Sequence, residues 1–101
     1  MEIARTSSFW RDLKSLVDYF DEVHAESTAV KFIDAVDDTI DFIAEFPDLG
    51  GPCESSKLRH QGMRVRLVIG FENYLVLYRR EQDRLYVMRV VDGRRNLEGL
   101  L

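Results

Sequence analysis

The sequence predicts an α+β fold in the order β-α-α-β-β-β, with a helical hairpin packed on one face of a small antiparallel sheet. Three observations predict it. Two stretches in the first half carry apolar residues at helical spacing. A block containing Pro47, Gly50, Gly51 and Pro52 then ends that periodicity. The remainder alternates apolar and charged residues in short runs separated by turn residues. A chain of 101 residues has room for one domain, read as 1–101, and one modest core.

Residues 2–6, EIART, read as a short first strand, with Ser7 or Ser8 capping the helix that follows. Phe9, Leu13, Leu16, Val17, Phe20 and Val23 form its apolar stripe, and Arg11, Asp12, Asp18 and Glu22 lie mostly off it. The break falls between His24 and Thr28, where several polar residues compete as caps. A second helix places Ala29, Phe32, Ile33, Val36, Ile40 and Ile43 on one face, with Asp34, Asp37, Asp38, Asp41 and Glu45 around the rest. Helices joined this closely lie antiparallel, and each stripe needs a further apolar surface.

The second half supplies that surface. Met63, Val65, Leu67 and Ile69 alternate with Arg64 and Arg66, the period of a half-buried strand. Gly70 to Asn73 predicts a turn, Tyr74 to Arg80 the return strand, Glu81 to Asp83 the next turn and Leu85 to Val91 the last strand. The intervening segment Pro47 to Gln61 reads as a polar, mobile loop.

The net charge of −4 conceals an asymmetry. Residues 1–56 carry 4 basic and 13 acidic side chains, whereas residues 57–95 carry 10 basic and 4 acidic ones. Arginines on neighbouring strands are expected to share a surface suited to a phosphate-bearing or carboxylate-rich partner. Several classes are excluded or disfavoured. No apolar run approaches the roughly 20 residues of a membrane span, and the N-terminus lacks a basic, then apolar, secretory pattern. The single cysteine, Cys53, has no internal disulfide partner; a cytoplasmic location is expected. No histidine or cysteine cluster suggests a metal, and no P-loop, dinucleotide fingerprint or nucleophile elbow is present, so no cofactor is expected.

Several segments resemble motifs of the RelE/ParE superfamily of toxin–antitoxin toxins, in the family's order. Glu45-Phe46-Pro47-Asp48-Leu49-Gly50 is similar to its "hydrophobic-Pro-x-x-Gly" helix stop, and Gly62-Met63-Arg64-Val65 to its "GLR" strand opening. Phe71 to Arg79, FENYLVLYR, resembles "FxNYLIFYR", and Arg89 to Asn96, RVVDGRRN, resembles "RVLHGARD". Within the superfamily the match is closer to the ParE branch, which is associated with plasmid stabilisation in bacteria. That resemblance implies a toxin that binds and poisons DNA gyrase and is neutralised by a ParD-like antitoxin. The RelE branch implies the alternative of a ribosome-dependent mRNA endoribonuclease. A non-toxic relic that only binds antitoxin is a third reading, because Asp92 stands where the family commonly has histidine and Asn96 where it commonly has aspartate.

The residues themselves weigh these readings unequally. Metal-independent RNA cleavage needs a base, an acid and cations around the phosphate. The cations are present in Arg64, Arg66, Arg79, Arg89, Arg94 and Arg95, which are also the candidate target- or antitoxin-binding residues. Proton movers are scarce. His24 and His60 lie outside the strands, Asp92 or Glu72 would serve as base, and Tyr78 or Tyr86 as acid. A nuclease would therefore rest on Arg64, Tyr78, Arg89 and Asp92. Tyr74 and its strand neighbours read as half-buried sheet residues, and Trp10, off the main stripe, would mark a protein interface if exposed. The tail Gly93 to Leu101 reads as a turn held by Leu97, Leu100 and Leu101, and the resemblance implies that it contributes to gyrase inhibition. An acidic, partly disordered antitoxin segment that folds on contact suits the basic sheet, by strand addition at an open edge or by a helix in the grooves of the hairpin. Nothing in the sequence sets the oligomeric state.

Overall fold

The computed structural model describes residues 1–53 and 61–95. The elements are β1 (Glu2–Arg5), α1 (Ser7–Val23), α2 (Glu26–Glu45), β2 (Gly51–Pro52), β3 (Arg64–Val68), β4 (Phe71–Glu81) and β5 (Arg84–Asp92). The predicted tail contacts of Asn96 to Leu101, and His60 with the middle of the predicted loop, lie outside the described residues.

Helix α1 is capped by Thr6, one residue before the predicted serines. The Thr6 hydroxyl accepts from the Phe9 N–H at 3.1 Å and donates to the Met88 carbonyl at 2.8 Å. One hydroxyl thus satisfies a helix-end donor and ties the helix start to β5. None of the polar candidates caps α2: the cap is Ala25, with no side-chain bond. Its carbonyl accepts from Thr28 and Ala29 instead.

The sheet runs β1-β5-β4-β3-β2. The predicted meander is present, β3 to β4 to β5, all antiparallel. Two features widen the predicted sheet into a five-stranded mixed one. β1 pairs parallel with β5, and Gly51–Pro52, expected within a loop, forms a two-residue strand against β3. Residue Met88 is unmatched where the β4–β5 register shifts, and its carbonyl is the one that Thr6 satisfies.

The two helices cover one face. Phe9, Phe20, Phe32, Val36, Ile40 and Ile43 meet Val68, Val76, Tyr78, Leu85, Val87 and Val90. Each apolar side chain so buried contributes on the order of 1.5–3 kcal/mol, so this layer contact dominates over helix propensity. Thr39, at 0 % exposure, lies among them. Its hydroxyl donates to the Ala35 carbonyl at 2.7 Å and accepts from the Ile69 N–H at 3.0 Å, bonding α2 to the β3–β4 turn.

A second, smaller cluster lies on the opposite face: Cys53, Met63, Leu77 and Val91, flanked by Leu75 and Met88. Cys53 is therefore buried rather than in an open loop. The cluster also corrects the expected orientation of β3. The set Met63, Val65, Leu67 and Ile69 faces away from the helices, while Arg64, Arg66 and Val68 face them. β3 lies at the margin of the helical layer, where arginine stems can run along apolar surface and keep their heads at the edge. Leu67 and Ile69 are accordingly half exposed. Val23, placed on the α1 stripe by spacing, is exposed at the helix end. The β3–β4 turn is also tighter than predicted: Gly70 takes a positive φ of 81°, and β4 starts at Phe71.

Candidate functional site

The six candidate arginines do not converge on one patch. Arg89, beside the β5 bulge, directs its guanidinium to Asp12 of α1. Its Nε and a terminal nitrogen donate to the two carboxylate oxygens at 2.5 and 2.8 Å. Asp12 also accepts from the Val90 N–H at 3.2 Å. A two-point carboxylate bond of this kind is among the stronger polar contacts. The Asp12 hydrogen bond raises the Arg89 pKa against the lowering effect of burial.

At the end of β5, Arg94 closes on Asp92. Its Nε, a terminal nitrogen and its backbone N–H all donate to that carboxylate, at 2.9, 2.8 and 3.0 Å. The Arg94 bond holds the Asp92 carboxyl below the usual carboxylate range, against the raising effect of burial. The Arg94 guanidinium also lies 5.9 Å from the Tyr74 ring, and burial foremost raises the Tyr74 phenol above its ordinary 10.0. Arg95 is exposed and lines a cleft of about 180 Å³ between α1 and β5, with Asp12, Ser15, Leu16, Arg89 and Asp92.

Arg79 lies on the face away from the helices, opposite Tyr86 in the register. It pairs with Glu81 at 3.0 Å, and its Nε is buried without an acceptor among the described residues. Arg64 and Arg66 occupy the other face. Arg64 donates to the Gly50 carbonyl at 2.8 Å. Next to it in the register, Tyr78 is fully buried and donates to the Pro47 carbonyl at 2.9 Å. Burial raises the Tyr78 phenol above its ordinary 10.0. Together they pin the segment after α2 to the sheet. Arg66 stacks over the Phe42 ring of α2, its guanidinium 4.8 Å from the centroid.

The nuclease set is therefore split. Arg64 and Tyr78 sit across β3 and β4, whereas Arg89 and Asp92 sit at the α1 side of β5. Asp92 pairs with Tyr74, four residues along β4 from Tyr78, which is about 13 Å at the usual strand rise. A phenol inside the core, already donating to a backbone carbonyl, is poorly placed to protonate a leaving group. A carboxylate held by three arginine donors is a weak base. Of the other proton movers, Glu72 is exposed and Tyr86 is half-buried beside Arg79 and Arg84. Asp12, Phe42 and Gly50 were not singled out as partners of these arginines by sequence reasoning. Asp12 pairs with a residue 77 positions away, and no local pattern signals that. Among the described residues, no group of His, Cys, Asp and Glu is placed to hold a metal ion, and no helix is long and apolar enough to cross a membrane.

Two helices on one face of a five-stranded mixed sheet define a small α+β domain. The family model described as ParE toxin of type II toxin–antitoxin system, parDE, matches residues 3–97, and the chain belongs to that family. Among solved structures it is similar to "Chromosomal ParDE TA system from P. aeruginosa", with a TM-score of 0.75 and 15% identity over 91% of this chain and 95% of that one. At that identity the likeness is one of fold. No curated protein matches the chain.

Proposed function

We propose that this toxin-family chain acts in the bacterial cytoplasm by binding and poisoning DNA gyrase, and that a cognate ParD-like antitoxin holds it inactive. The observation that carries the choice of binding over cleavage is the commitment of Tyr78 and Asp92 to structural hydrogen bonds. A gyrase poison needs shape and charge at a surface, and no proton transfer. The membership of the ParE family supports the same branch.

Induction of the chain alone in bacteria tests the reading. The expected outcome is gyrase-linked DNA breaks, altered plasmid supercoiling and a DNA-damage response, with intact transcripts. Codon-positioned mRNA cuts with normal DNA would replace it with the endoribonuclease reading. Unimpaired growth would leave an antitoxin-binding relic. Removal of residues 96–101 is expected to abolish toxicity while antitoxin binding persists; equal toxicity at matched expression would show that the tail is dispensable.

A further inference from the structure

Asp92-Gly93 is the one Asp-Gly junction in the chain, and no Asn-Gly occurs. Such a junction is chemically labile. A glycine nitrogen, unshielded by a Cβ, can reach the side-chain carbonyl carbon of the residue before it. A larger residue does not fit here. A Cβ on Gly93 would lie 2.9 Å from Cγ and Cδ1 of Leu75 and 3.2 Å from the Asn73 carbonyl oxygen. Packing of the β5 end against β4 thus fixes a reactive dipeptide in place.

Both groups that would react are engaged elsewhere. The Gly93 N–H donates to the Asn73 carbonyl at 2.7 Å, which aims it at β4. One Asp92 carboxylate oxygen takes the Arg94 backbone N–H and Nε, and the other takes a terminal nitrogen. The carboxylate is thereby turned past Gly93 to the residue beyond. The Asp92 carbonyl accepts from the Arg95 N–H at 3.2 Å and closes the turn. Arg94 is itself braced at the Tyr74 ring, 5.9 Å away. Ring closure consumes a protonated carboxyl, whereas the arginine bonds favour the ionised one. The backbone bonds alone suffice for the turn. The two guanidinium bonds act only on the carboxylate.

We propose that Asp92-Gly93 is a self-modification site, an isoaspartate-forming junction that Arg94 and the Asn73 carbonyl hold closed in the folded chain. When the clamp opens, the Gly93 nitrogen attacks Cγ of the protonated Asp92 carboxyl. The N–Cγ bond forms, the Cγ–OH bond breaks, and the hydroxyl leaves as water with the amide proton. Solvent water then opens the succinimide at the Asp92 main-chain carbonyl and breaks its bond to the Gly93 nitrogen. The chain now continues through Cγ, with unchanged mass and no oxidation or reduction. The added methylene lies at the end of β5, where Asp92 is paired with Tyr74. Conversion therefore moves Arg94 and Arg95 out of their places beside the sheet.

The test follows the purified full chain during incubation at physiological temperature and neutral pH, and no outcome depends on the cellular target. Isoaspartate is read by isoaspartyl methyltransferase labelling and located by peptide mapping. The chains compared are wild type, Arg94→Ala, Arg94→Lys and wild type unfolded in urea, with Asp92→Glu as the control that cannot form the five-membered ring. The expected result is slow labelling at residue 92 in the folded wild type and fast labelling in urea. Folded Arg94→Ala should gain label faster by about tenfold or more, the factor carried by one lost charge-assisted hydrogen bond. Arg94→Lys should fall between the two. Circular dichroism checks the fold of each variant; if Arg94→Ala does not fold, Arg94→Lys and the urea comparison decide. A folded arginine variant that gains label no faster than wild type overturns the proposal. Equal rates in folded and unfolded wild type, or label that persists in Asp92→Glu, also overturn it.

Discussion

The two sides of the sheet use the same residue to opposite effect. Along β5, arginine charges are cancelled by carboxylates: Arg84 by Glu2 at 3.0 Å, Arg89 by Asp12 and Arg94 by Asp92. Along β3 the partners are neutral, a carbonyl for Arg64 and an aromatic ring for Arg66. An arginine count in a sequence is therefore not a basic surface. On the β5 side Arg89 joins α1 to the sheet, Arg84 joins β1 to β5, and Arg94 folds back on Asp92. On the β3 side the arginines also keep their charge available for a partner.

The largest effect expected of a change belongs to the β3 side, at the hub where Tyr78 meets the segment after α2. A Cβ at Gly50 would lie 1.9 Å from the Tyr78 hydroxyl oxygen, inside a fully buried ring's space. Gly50→Ala must displace that ring or the loop it holds, at a cost of about 3 kcal/mol. Urea unfolding measures it, and a loss near zero would show that the loop yields freely. On the β5 side, Asp12→Ala removes the acceptor of Arg89 and of the Val90 N–H. Breaking a fully buried pair costs roughly 3–5 kcal/mol; with side chains 16–18% exposed here, about 2 kcal/mol is expected. Adding Arg89→Ala to it should cost less than the two single changes combined, and strict additivity would deny the coupling.

Arg66→Ala sharpens the contrast. It removes only a stacked cation at the sheet margin, so stability should change by about 0.5 kcal/mol. Equal losses for Asp12→Ala and Arg66→Ala in the same urea series would erase the distinction between the two sides.

Much of the fold was legible because periodicity reports burial. The α2 stripe, the meander and the Pro–Gly stop all stand, and Thr39 itself falls on the stripe, three residues after Val36. The orientation of β3 was not legible. Alternation separates Met63, Val65 and Leu67 from Arg64 and Arg66, but it does not say which set meets the helices when both faces carry a core. The parallel pairing of β1 joins residues 82 apart, Glu2 with Arg84, and local pattern is silent at that distance. At the site, the arginines were identifiable as a group. Their partners Asp12, Gly50 and Phe42 were not, because each comes from the helical half or the segment after it and only the fold brings them to the strands.

The smallest expected effect concerns pH, and it separates a cancelled arginine from an available one. Asp92 has a folded pKa below its ordinary 3.8, because Arg94 bonds its charged form. A depressed carboxylate pKa contributes stability that is fully present above the unfolded value and is lost as pH falls through the folded one. The window therefore lies below about pH 4. Many other carboxylates also titrate there, so the informative quantity is the difference between wild type and Arg94→Ala. Wild type should be the more stable at neutral pH, and the gap should close as pH falls below about 4. Added salt should narrow it too, since the Arg94 side chain is 60% exposed. The Arg66→Ala difference should show neither trend, having no carboxylate among the described residues to protonate. A gap for Arg94→Ala that is flat across this range would mean that Asp92 gains nothing from its neighbour, and that the cancellation on the β5 side is geometric rather than energetic.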